Sequence, residues 1–133
     1  REILKLEERN VVALNNLAWL LAQRSESAAE ALPLIDLAIE LTGPAPEMLD
    51  TRAAVFIALG EKENAVKDLQ DALAEVPKPT WHFHLAQAFL SMENREAAKR
   101  AIETARSTGL NPKLLHPLER AAHDRLRAAL DQP

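Results

Sequence analysis

Nine alanines recur in three columns about 34 residues apart, and this register constrains the 133-residue chain more than any other feature. Ala18, Ala53 and Ala86 are spaced 35 and 33 apart; Ala31, Ala65 and Ala98 are spaced 34 and 33 apart, as are Ala38, Ala72 and Ala105. Larger apolar residues keep step: Leu21, Phe56 and Phe89 form one column, and Ile35, Leu69 and Ile102 another. A small side chain at a fixed place lets two helices approach toward the short end of the usual separation, while bulkier neighbours fill the flanking space. One such pair of helices cannot bury all its apolar surface, so pairs of this kind must stack.

Composition agrees. Ala supplies 24 positions and Leu 22, whereas Val, Ile and Thr together supply 15. Ala and Leu lose little freedom in a helix, and β-branched residues lose more, so the chain reads as all-α. Gly and Pro divide it at 43–46, 60, 77–79, 109–112 and 116–117, with a softer turn at Glu93-Asn94. The spacing predicts helices over 11–24, 28–42, 46–59, 62–76, 80–92, 95–108 and 117–131. Residues 1–7 read as the end of an earlier helix. Ser27 with Glu30 fits a capping box. Pro33 implies either a later helix start or a bend.

The columns resemble the tetratricopeptide repeat, a helix–turn–helix unit of 34 residues. The first repeat matches through Leu14, Leu17, Ala18, Leu21, Ala31, Ile35 and Ala38. The second matches through Leu49, Ala53, Phe56, Ala65, Leu69, Ala72 and Pro77, and the third through Leu85, Ala86, Phe89, Ala98, Ile102 and Ala105. The resemblance implies one domain, an α-α superhelix (a right-handed solenoid). Residues 1–10 would end an upstream repeat, 11–45, 46–78 and 79–111 would be repeats, and 112–133 a capping helix. On this reading the chain is the C-terminal piece of a longer array. Three departures stand out. Arg52 and His82 occupy columns where the pattern has large apolar residues, and there is no Tyr. Arg52 either lays its stem on apolar surface with its head in water or pairs with Asp36 or Glu40.

From Pro117, Leu118, Ala121, Ala122, Leu126, Ala129 and Leu130 make an apolar stripe. Glu119, Arg120, His123, Asp124, Arg127 and Asp131 fall on the opposite, solvent side. That is the pattern of a cap.

The residues offer no catalytic constellation. The three glycines stand alone at helix ends, and there is no Cys to serve as nucleophile or thiolate ligand. No cofactor and no metal are expected. His82 and His84 point to different sides of a helix, and His116 and His123 lie two turns apart. A net charge of −4 gives no reason to expect nucleic acid, and no apolar stretch reaches membrane-spanning length. The chain is expected to be soluble, with the cytoplasm preferred.

The family resemblance implies a concave groove lined by the first helices of successive repeats, which takes a peptide or protein partner. By register the groove residues are Asn15, Asn16, Trp19, Gln23, Asp50, Thr51, Ala54, Ile57, Phe83, His84, Gln87 and Leu90. Trp19 and Phe83 are equally compatible with ordinary packing. Two other roles remain open. One is homo-oligomerisation through an uncovered N-terminal edge. The other is a non-catalytic accessory role in a larger enzyme.

Overall fold

A computed structural model describes the backbone of residues 2–132 and the side chains of residues 9–24 and 26–132. The described residues form seven α-helices and no strand. They are α1 (Glu2–Ala22), α2 (Ala28–Thr42), α3 (Pro46–Leu59), α4 (Lys62–Glu75), α5 (Pro79–Ser91), α6 (Arg95–Ser107) and α7 (Pro117–Asp131). Short 3-10 turns cover Ser25–Ser27 and Pro112–Leu114.

From Ala28 onward the predicted boundaries hold to within a residue. The N-terminal end differs: α1 runs from Glu2 to Ala22 without the break expected before residue 11. The side chains of Ile3, Leu4, Lys5 and Leu6, on which the upstream-repeat expectation rests, lie outside the described residues. One local expectation is corrected and another is narrowed. Ser27 is the N-cap of α2, but its side chain makes no capping bond, so the capping box with Glu30 is not formed. Pro33 does not delay α2, so of the two alternatives the later start is removed and the bend is left. Its ring is exposed, and the carbonyl of exposed Ala29, which loses a helical partner, can be solvated.

The packing divides at Val76/Pro77 into two compact units. In residues 1–76, α1 pairs with α2 and α3 with α4, and α3 also packs on both α1 and α2. Two helical hairpins are therefore stacked on one another. Val11, Ala18, Ala22, Ala31, Ile35, Ala38 and Val55 form a continuous core, with Leu14, Leu21, Leu34, Met48 and Leu59 packed around it. In residues 77–133, α5 pairs with α6, and α7 packs on both.

All nine column alanines are at most 1% exposed, the highest being Ala53. A helix surface brought against its partner over a methyl group leaves no room for solvent, which is what the recurring Ala demands. The hairpin turns repeat too. Gly60 has φ 81°, and the next N–H, of Glu61, donates to the Phe56 carbonyl at 2.8 Å. Thirty-three residues on, Glu93 has φ 62°, and the N–H of Asn94 donates to the Phe89 carbonyl at 2.9 Å. The same left-handed helix end is thus built once on Gly and once on a residue with a Cβ.

The last helix is anchored polar end to polar end. The Arg95 guanidinium donates to the carbonyls of Ala129 at 2.9 Å and Gln132 at 2.7 Å, satisfying acceptors that the end of α7 leaves open. At its start, the N-cap His116 accepts the Leu118 N–H through Nδ1 at 3.2 Å.

Candidate functional site

Within residues 1–76 the first helices α1 and α3 lie against each other and carry most of the predicted groove residues. Asn16 and Gln23 are exposed, and Trp19, Asp50, Ala54 and Ile57 are half-buried. The Gln23 amide donates back to the Trp19 carbonyl at 3.2 Å. Asn15 is half-buried, and its Oδ1 is buried without a hydrogen bond. Thr51 is 3% exposed and offers no surface.

Within residues 77–133 the predicted residues Phe83 and His84 both face other helices or the core. Phe83 is 0% exposed, with its ring edge-on to His123 at 5.3 Å between centroids. It is a core residue, and the packing alternative accounts for it. His84 is turned toward α7, where its Nε2 meets the Glu119 carboxylate. Gln87 and Leu90 are half-buried on the same helix.

This pairing rotates α7 relative to the sequence reading. Glu119, Ala122, His123, Leu126 and Leu130 face inward at helical spacing, whereas Leu118 is 51% exposed. The expected stripe began one residue too early because it treated Glu119 and His123 as solvent residues. Glu119 is paired with His84 of α5, which offsets the cost of burying its charge, while His123 packs its ring against Phe83. Burial alone would push the Glu119 carboxyl pKa up. The hydrogen bond to His84, with the charges of His84, His116 and Lys78, outweighs this and holds it below its ordinary value.

Arg52 shows the same logic in the first unit. Its Nε and Nη2 donate to the two oxygens of Asp68 at 2.8 and 2.9 Å, a bidentate pair. Its Nη1 reaches Asp36 at 3.3 Å, and its Cζ lies 5.6 Å from the Phe56 ring centroid. The hydrogen bond that Arg52 donates to Asp68 raises its pKa above its already high value, against the opposing effect of burial. The expected pairing with Asp36 is present. The main partner, Asp68, was missed, although a signal existed. Counting 34 residues back and 33 on from Asp68 gives Leu34 and Ala101, and Arg52 corresponds to Leu17 and Leu85. The two columns depart from apolar residues together, in the same repeat.

Among the described residues, no three His, Cys, Asp or Glu side chains are gathered as a metal site. Nor is any described helix long and apolar enough to cross a membrane. No protein-family model matches the chain, and no curated protein matches it.

Proposed function

We propose that the chain is a tetratricopeptide-type repeat array that binds a protein or peptide segment on the face formed by its first helices, without chemistry of its own. The observation that supports this reading is the burial of all nine recurring alanines beside a first-helix face that stays partly open. That face offers Asn16 of α1 and Gln23 just beyond its end to bond an extended backbone, and Trp19 of α1 and Ile57 of α3 to take apolar side chains. Asp50 adds a negative charge, which favours a neutral or basic segment.

Affinity capture with the intact protein tests it, repeated with Trp19→Ala and Asn16→Ala and with Leu118→Ala as an exposed control on α7. A partner retained by the wild type and the control but lost from both first-helix variants supports the proposal. Recovery unchanged by either first-helix variant contradicts it.

A second reading, self-association, is favoured by one patch. Leu17, Leu37 and Leu41 are 47%, 43% and 49% exposed, and with Asn10, Ala13 and Leu14 they line a cavity of about 360 Å³ between α1 and α2. Clustered apolar exposure of this kind is a common mark of an interface. Sedimentation over a concentration series decides it: a constant monomer mass removes this reading.

A further inference from the structure

A second cavity lies within residues 77–133, between α6, the segment that follows it, and α7. Its volume is about 200 Å³, and it is lined by Ile102, Arg106, Leu110, Pro112, His123 and Arg127. The side chains of two arginines and a histidine therefore line a small space whose remaining walls are aliphatic.

The cations in this cavity are under-used. Arg106 and Arg127 both point an Nη1 at one oxygen of Glu103, at 3.5 and 3.9 Å. A charge-assisted hydrogen bond closes to about 2.7–2.9 Å, so neither guanidinium is engaged by a full bond to this acceptor. Glu103 is itself 63% exposed, and an ion pair that open to water adds little. His123 is 9% exposed, and its buried Nδ1 has no hydrogen-bond partner. The nearest acid to that nitrogen, Asp124, stands 3.7 Å away with a side chain 77% exposed. Two loosely held arginines converging on a single carboxylate oxygen define a place where an external carboxylate would be held better than Glu103 is. The Ile102, Leu110 and Pro112 walls would take an aliphatic tail. The volume is below the usual range of about 300–1,000 Å³ for ligand sites, which limits the tail to a short one.

We propose that this cavity binds a short-chain aliphatic carboxylate, with Arg106 and Arg127 on the carboxyl group and the aliphatic walls around the chain. The bound anion displaces Glu103 from the arginines. The site is separate from the first-helix face of the previous subsection and does not depend on it.

Titration of the full chain with pentanoate, followed through the histidine ring resonances, tests the proposal, with inorganic phosphate as the parallel arm. Pentanoate is expected to shift the His123 resonances saturably and to leave His82 and His116 in place. Arg127→Gln and Arg106→Gln should each weaken binding about tenfold, the loss of one charge-assisted bond. Arg106 is more than half exposed, so its variant reads binding without disturbing the fold. Glu103→Gln should strengthen binding about twofold to fivefold, because a competing surface ion pair is removed. The absence of a saturable His123 shift overturns the proposal. So does affinity unchanged in both arginine variants, or phosphate binding as tightly as pentanoate, which would leave the aliphatic walls without a role.

Discussion

The hairpins α3/α4 and α5/α6 share a register and fill it differently. At one pair of columns the first has Arg52 and Asp68, the second Leu85 and Ala101. At the turn the first has Gly60 and the second Glu93, both left-handed. Two residues before the first-column alanines Ala53 and Ala86, Thr51 is buried, while His84 meets Glu119 of α7. What stays constant is the set of small residues at the crossings. The flanking positions tolerate polar groups, and Asp68 and Glu119 each have a partner on another helix, Arg52 and His84. Backbone geometry is therefore fixed by the alanines, and side-chain chemistry around them varies in matched pairs.

The sharpest way to break this comparison is at Phe83, the large side chain that closes the second unit's core. Phe83→Ala is expected to cost about 3–5 kcal/mol of stability in urea unfolding, the range for truncating a buried aromatic. A variant with wild-type stability would return Phe83 to the surface and to the groove set.

Next comes the ion pair. Arg52→Ala leaves the 4%-exposed Asp68 without its bidentate partner and should cost about 3 kcal/mol. The double variant Arg52→Leu/Asp68→Leu reproduces the Leu17 and Leu34 of the first repeat. It should be near neutral, since well-packed apolar pairs replace buried ion pairs without loss. If the double variant is as unstable as the single one, the columns are not equivalent.

The two turns should respond with opposite sign. A Cβ at Gly60 would meet nothing within 4 Å, so Gly60→Ala costs only the left-handed backbone, about 1 kcal/mol. Glu93→Gly relieves the same conformation and should raise the melting temperature slightly, the gain reduced by the added freedom of the unfolded chain. Equal signs would show that the turns differ in more than the residue placed there.

The smallest effect concerns α7. Because the Glu119 pKa is lowered from its ordinary 4.5 in the folded chain, its contribution is present above that pH. It is lost as pH falls below 4.5 toward the folded value. Amide exchange at Leu126 and Leu130 should accelerate over that acid range in the wild type and depend less on pH in Glu119→Gln. Identical profiles would remove the carboxylate from the docking of α7.

Much of this was legible in the sequence because it rests on local periodicity. Gly and Pro stops placed the helices, and the alanine columns marked the crossings. The groove set was legible only in part. Register says which residues share a helix face with Trp19, but not how far that face is covered, so the burial of Thr51 was not foreseen and that of Phe83 stood as one of two alternatives. The orientation of α7 was hidden for a different reason. Glu119 and His123 read as solvent residues until their partners on another helix are known. Asp68 was in principle findable, since it changes in step with Arg52.

The central claim is that the recurring alanines are helix crossings, and it is tested most directly by enlarging them. Ala38→Leu, Ala72→Leu and Ala105→Leu should be compared in urea unfolding with Ala58→Leu, Ala74→Leu and Ala121→Leu, whose side chains are exposed. Ala and Leu differ little in helix propensity, so crowding at the crossing is what separates the two sets. Each column variant is predicted to lose about 1–3 kcal/mol, and each exposed variant close to nothing. Equal losses in the two sets would contradict the account.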